Sequence, residues 1–407
     1  MTLFPSLVKH NQRNFNKRAA LDLIRFTPGG ISRVELARQL GLTRAAVSTI
    51  INDLIEQGLV RDAETGPASG GRRPILLEIN PAVGYITGID MGATHCRILI
   101  TDFAAQVVDD IEIPMDIRRG PEYCLNLVDE HLSGLLVKHT LDLKSIVAIG
   151  IGVPGPVVAE AGMVSAPPIM PGWDRYPIRE RLHEEWGLLV TLNNDAELGA
   201  LGEWAYGAGR GERHLAYIKV GTGVGAGLLL DGKIYGGATG SAGEIGHITI
   251  REDGPLCSCG STGCLEAMAG GRAIAERARA AIRSGRRTQL ASLGDLENIT
   301  AREVAQAARK GDLVAQQIMA EAGSYLGIAI ASLVNLFNPG LVVVGGGVAQ
   351  IGDLLLDPIR KSIQERSLRS AAQAVRVSAA LLGRRSSSMG AVVQALNIAL
   401  DKLTENL

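Results

Sequence analysis

Val47, Ile50, Ile51 and Leu54 fall at i, i+3, i+4 and i+7, the spacing of one apolar helix face, while Ala45, Ser48, Thr49 and Asn52 repeat that spacing on the opposite face. Thr43 is placed to cap this helix. Upstream, Ser32 and Glu35 form a capping-box pattern before RVELARQL, so a shorter helix is predicted to start there and to stop at Gly41. Two helices joined by Gly41-Leu42-Thr43 predict a helix-turn-helix. After it, GLVRD and PILLEIN read as two short strands around ETGPASGGRR, a wing with Arg72 and Arg73 at its tip.

From Gly84 the pattern becomes that of strands punctuated by glycine. YITGIDMGATHCRILITD predicts a hairpin with Asp90, Gly92 and Thr94 at its turn; YIKVGTGVGAGLLLDG predicts another with Gly221, Thr222, Gly223, Gly225 and Gly227. Each is followed later by a buried apolar strand running into glycine, SIVAIGIGVPGPV and LVVVGGGV. Hairpin, helix and buried strand therefore occur twice. This duplication predicts an α/β body of two lobes with a nucleotide-binding type of cleft, the glycines letting the backbone approach a phosphate. Tight turns need glycine whatever their function, so the repetition carries the reading.

Composition narrows the class. A chain of 407 residues that is 46% hydrophobic holds two or three folded domains. The start, MTLFPSLVKHNQRNFNKR, turns polar by Lys9, and the longest apolar stretch, near YLGIAIASLVNLF, is too short to span a bilayer, so a cytoplasmic protein without membrane contact is expected. Five cysteines in such a chain argue against a disulfide framework. Charge is uneven: residues 1–80 carry 11 Lys/Arg against 7 Asp/Glu, whereas the chain as a whole nets −1. A basic head on an acidic body suits a nucleic-acid-binding appendage.

Candidate chemistry falls at both ends. In the head, Thr43, Arg44, Ala45, Ser48, Thr49 and Asn52 suit a major groove, and Arg72 and Arg73 suit backbone or minor-groove contacts. The alternative, a helical hairpin meeting only water, leaves the basic wing unexplained. In the body, Cys257, Cys259 and Cys264 lie in one short polar loop, with His247 ten residues upstream. Three thiolates and an imidazole fill a tetrahedral zinc shell with no position for a catalytic water, so the zinc is expected to be structural. Cys96 and Cys124, in apolar patterns, are expected in the core. Glu244 and Glu266 flank the cysteine loop and, with Asn194 and Asp195, supply the directional acceptors and amide that a polyhydroxylated ligand needs.

GIDMGAT, GVPGPV, NNDAELGALGE, VGTGVGAG, GEIGH and CSCGSTGCLE, in this order over about residues 81–400, resemble the ROK family of repressors, open reading frames and sugar kinases. The head, with HNQRN, SRVELARQLGLTRAAVS and GGRRP, is similar to the DNA-binding domain of the family's repressor branch. The resemblance implies two ribonuclease-H-like lobes of the actin and hexokinase type behind a winged helix-turn-helix. It implies that Asn194, Asp195, Glu244, His247 and Glu266 contact a sugar, His247 facing zinc with its other ring nitrogen. In family kinases the residue matching Asp195 is the general base, Asp90 sits near magnesium, and Gly92, Thr94, Thr222 and Gly223 belong to the nucleotide loops. Two departures stand out. Where kinases read D-x-G-G-T-K this chain has Ala93 and His95, and Pro168 stands near the place of a family asparagine.

The expected domains are 1–80, a winged DNA-binding head; 81–198, a first lobe on which the C-terminal helix packs back; and 199–407, a second lobe with the zinc loop. Two functions are expected. One is a sugar-responsive repressor, a homodimer or dimer of dimers that a sugar inducer releases from operator DNA. The other is an ATP- and magnesium-dependent sugar kinase with a DNA-binding appendage, in which Asp195 is catalytic. The altered first glycine loop favours the repressor.

Overall fold

In the computed structural model, residues 12–65 and 74–405 are described. Three helices, Gln12–Phe26, Arg33–Leu40 and Arg44–Glu56, form the head, with Leu21, Ile24, Leu36, Ile51 and Leu54 in one buried cluster. The Ser32 hydroxyl accepts the Glu35 N–H, Gly41 ends the second helix at φ 66°, and Thr43 accepts the Ala46 N–H. The Glu35 carboxylate does not complete a capping box; it turns to Arg38 and Gln39. A three-stranded sheet follows in the order Ile31–Ser32, Ile75–Ile79, Val60–Thr65, giving the wing its two antiparallel arms. Helix Gln12–Phe26, which the sequence pattern did not announce, backs this unit.

Each lobe is built on a five-stranded sheet, and the two sheets have the same topology. In the first the order is Leu189–Asn194, Ile146–Val153, Tyr85–Met91, His95–Asp102, Val107–Pro114; in the second it is Arg376–Ala379, Leu341–Gly345, Leu215–Val220, Val224–Leu230, Lys233–Ile234. In both, three strands form an antiparallel meander and two add in parallel. This is the duplicated ribonuclease-H-like lobe.

Two helices bind the sheets together. Asp195–Tyr206 packs against strands of both sheets, so a boundary at 198/199 falls inside a shared element. Ser386–Glu405 lies on the first sheet and along Asp195–Tyr206. Their close approach explains one glycine of a buried strand and one of the second hairpin: a Cβ on Gly150 would stand 2.1 Å from the Ala391 carbonyl oxygen, and one on Gly227 would stand 2.3 Å from that of Ala196. Close helix-on-sheet packing demands glycine at both positions.

The apolar stretch near residue 330 belongs to a longer helix than expected. Leu313–Phe337 has 25 residues and is long and apolar enough to cross a bilayer, but half of its most apolar window is buried in the protein. Ile318, Met319, Leu326, Ile330 and Val334 are core residues of the second lobe, packed with Leu355 and Ile359 of helix Asp353–Arg366. Cys96 and Cys124 are fully buried in the first lobe.

Candidate ligand cleft and metal centre

A cleft of about 360 Å³ opens between the lobes and is lined by residues from both glycine hairpins, from the start of helix Asp195–Tyr206 and from the cysteine loop. Asn194, Asp195, Glu244, His247 and Glu266, more than seventy residues apart at the extremes, share this one lining. Each is fixed differently. Asn194 caps the helix: its carbonyl oxygen accepts the N–H groups of Ala196 and Glu197 at 2.8 and 3.2 Å, and its amide donates to the Gly155 carbonyl at 2.9 Å. Glu266 accepts the Val224 N–H at 3.1 Å and the Ser258 hydroxyl at 3.3 Å, tying the second hairpin to the cysteine loop. Glu244 is half-buried, and burial pushes its carboxyl upward against the pull of His247.

The metal-ligating atoms of His247, Cys257, Cys259 and Cys264 all lie within 4.8 Å of one another. His247 Nδ1 is 3.6 Å from Cys257 Sγ, and the Cys259 and Cys264 sulfurs are 3.8 Å apart. A tetrahedral ion with metal–sulfur bonds of about 2.3 Å requires sulfur–sulfur edges of about 3.8 Å, so these donors fit one. His247 turns Nδ1 to the sulfurs and brings Nε2 to 3.9 Å from Glu244 in the cleft.

The nucleotide-loop candidates separate. Gly92, Thr222 and Gly223 line the cleft. Asp90 sits inside strand Tyr85–Met91 rather than at the turn and is 3% exposed. Thr94 is exposed and is not part of the lining. A Cβ on Gly223 would meet the Glu266 carboxylate at 2.1 Å, so that approach is filled by protein. Pro168, in the stretch that departs from the family pattern, also faces the cleft.

Lys219 was absent from the sequence reading and stands at the centre of the site. Its Nζ lies 2.9 Å from Asp195 Oδ2, 3.2 and 3.3 Å from the two Asp90 oxygens, and 3.1 Å from Ser387 Oγ. Burial alone would lower its ammonium, but Asp195 and Asp90 outweigh that and raise it above the ordinary lysine range. Burial raises the Asp195 carboxyl, Lys219 opposes the shift and Asp90 adds to it. The signal was a lone charge inside the otherwise apolar strand LAYIKV.

In the head, Ala45, Thr49 and Asn52 are exposed and Ser48 is half-exposed, while Val47, Ile50, Ile51 and Leu54 are buried. Several of the head's basic residues pair with its own acids: Lys17 with Asp53, Arg33 with Asp62, Arg38 with Glu35, and Arg61 with Glu78. Arg18 and Arg25 reach the body. Arg18 donates to the Asn397 carbonyl and side chain at 2.9 Å and pairs with Asp401; Arg25 donates to Asn397 Oδ1 at 2.8 Å and to the Tyr206 hydroxyl at 3.1 Å. Arg44 is exposed on the outer face of the second helix of the motif. Arg72 and Arg73 lie outside the described residues.

A sequence family described as the ROK family matches residues 86–398, and one described as the MarR family matches residues 14–73. A xylose repressor of Caldicellulosiruptor bescii is 34% identical over 367 residues, 90% of this chain and 92% of its own length. The crystal structure of a ROK family transcriptional regulator, a homolog of the E. coli MLC protein, superposes with a TM-score of 0.80 at 29% identity, covering 97% of this chain and 99% of that one. A ROK family glucokinase from Streptomyces griseus, in complex with glucose and AMPPNP, superposes with a TM-score of 0.70 at 31% identity, covering 77% of this chain and all of the other.

Proposed function

The chain belongs to the ROK family, and from that premise we propose how its two ends act as one: it is a sugar-responsive transcriptional repressor that holds operator DNA with its winged head and lets go when a sugar enters the cleft. Thr43, Arg44, Ala45, Ser48, Thr49 and Asn52 face the major groove, with Arg72 and Arg73 on the backbone. Asp195, Glu244, Glu266 and His247 Nε2 take the sugar hydroxyls, and Asn194 contributes mainly by fixing the helix start that carries Asp195. The donor set selects zinc, whose coordination supplies rigidity to the loop bearing Glu266 and aims the His247 ring. The protein works in the cytoplasm as a homodimer on a two-fold operator.

The observation that carries this reading is a pair of packed helices reaching from the cleft to the head. Asp195–Tyr206 begins at the Lys219 cluster and ends at Tyr206, which Arg25 touches; Ser386–Glu405 carries Ser387, in the same cluster, in its first turn and meets Arg18 and Arg25 at Asn397. A shift of the lobes about bound sugar therefore moves the surface on which the head is seated.

The likeness to xylose repressors makes D-xylose the first candidate inducer, with D-glucose, N-acetylglucosamine and N-acetylmannosamine beside it. An operator fragment selected from random sequence, followed by fluorescence anisotropy, tests the reading. One of these sugars is expected to weaken operator binding about tenfold or more, a coupling of about 1.4 kcal/mol. If none does, sugar release is wrong. The likeness to a glucokinase keeps a second reading open to test: ADP release on the same sugars, abolished by Asp195→Asn, would establish a kinase.

A further inference from the structure

We propose that Lys219 is a built-in cation: its ammonium takes the place of a divalent metal between Asp90 and Asp195, so that the cleft receives an uncharged sugar without magnesium or nucleotide. Asp90 comes from the first lobe's hairpin, Asp195 from the shared helix and Lys219 from the second lobe's central strand, and all three converge on one point. Their side chains are 4%, 14% and 14% exposed, respectively. Two carboxylates brought together out of water must share a proton, bind a metal, or be given a fixed positive charge. This chain supplies the third solution.

Geometry decides against two other roles for the lysine. An ammonium has three donors, and here they are directed to Asp90, Asp195 and Ser387, so none is left over for a phosphate oxygen. A magnesium ion needs carboxylate oxygens at about 2.1 Å in a near-octahedral shell, and an ammonium already wedged between both carboxylates excludes it by contact and by charge. The neighbourhood agrees. The His95 ring crowds the Gly92 turn, where a Cβ would meet its Cε1 at 2.9 Å, and burial keeps that imidazole on the neutral side. With Glu244 and Glu266 also on the wall, the cleft carries a net negative charge suited to a neutral polyol and hostile to a polyphosphate. The magnesium and ATP that family kinases use therefore do not fit these residues, while Asp195, held by Lys219, remains an acceptor for a sugar hydroxyl.

The test is manganese titration of the zinc-loaded full-length protein, read by the loss of the free Mn²⁺ signal in electron paramagnetic resonance. The wild type is expected to bind no Mn²⁺ in a manner that Asp90→Asn changes. Lys219→Ala is expected to gain one Mn²⁺ site, which Lys219→Ala combined with Asp90→Asn loses. Lys219→Met, which keeps the aliphatic stem, serves the same purpose if the alanine variant does not fold, with zinc content and thermal melting as the folding checks. Mn²⁺ held by Asp90 in the wild type overturns the proposal, and so does a folded Lys219 variant that gains no site. These readouts need no sugar, so their failure is distinct from failure of the sugar reading. One further arm rests on that reading: the inducer's affinity should be indifferent to magnesium in the wild type, fall about tenfold in Lys219→Met, and recover in part when magnesium is added.

Discussion

Glu197 shows how much one buried charge weighs. It is 5% exposed, its Oε1 lacks a hydrogen-bond partner, and burial pushes its carboxyl up to about 7, with Glu244 adding to the rise and Asn193 opposing it. In the unfolded chain a glutamate titrates near 4.3, so the folded state holds this proton more tightly. The cost of ionising it is therefore fully present above about pH 7 and is relieved as the pH falls towards the unfolded value. Glu197→Gln should stabilise the protein at pH 8 by an amount on the order of 2 kcal/mol, and the gain should shrink steadily on acidification. Melting temperatures of variant and wild type across that range decide it; a gain independent of pH removes the buried charge as its cause. The same scale explains what the sequence concealed. Lys219 declares itself only when Asp90, 129 positions away, is folded onto it, whereas the four clustered donors His247, Cys257, Cys259 and Cys264 lie within eighteen residues and their proximity could be read directly.

Elements were legible where their ends carry their own chemistry. Ser32, Gly41 and Thr43 fix the helix-turn-helix through local hydrogen bonds and backbone angles, so pattern and structure agree there. The doubled hairpin was legible for the same reason. Helix Gln12–Phe26 was not, because its polar residues find partners only when Asn397 and Asp401, far along the chain, receive Arg18. In the cysteine loop Cys257 and Cys264 are buried, but Cys259 is exposed, its sulfur 3.8 Å from that of Cys264. Cys259→Ser should lower metal affinity at least roughly a hundredfold and loosen the segment between His247 and Glu266, weakening sugar binding with it. Metal analysis and calorimetry on the same sample separate the two effects, and full metal content in the variant would contradict the ligand assignment.

At the scale of the molecule the question is how a cleft and a recognition helix exchange free energy, and Arg25 is where the answer can be tested. Residues Ser387 and Asn397 are ten positions apart on one helix, about 15 Å along its axis, and Asp195 and Tyr206 bound the neighbouring helix over a similar length. Arg25, 8% exposed, contacts the end of helix Asp195–Tyr206 at Tyr206 and the middle of helix Ser386–Glu405 at Asn397 through a single guanidinium. Two rods that start at the same charged cluster and both meet one side chain farther along can pass a displacement with little slack, because packed helices slide as units and do not compress. Arg25→Met keeps the stem and its packing but removes the fork. Operator affinity without sugar should stay within about threefold of the wild type, and so should sugar affinity measured alone. The sugar-induced loss of operator binding should shrink by at least half of its coupling free energy, itself in the range of about 1–3 kcal/mol. Anisotropy with and without saturating sugar, alongside calorimetry for the sugar itself, measures all three quantities. Undiminished coupling would move the route to the ring contacts that Phe26 makes with Trp204 and Tyr206; loss of operator binding in the absence of sugar would make Arg25 a support of the head and not a link in the relay.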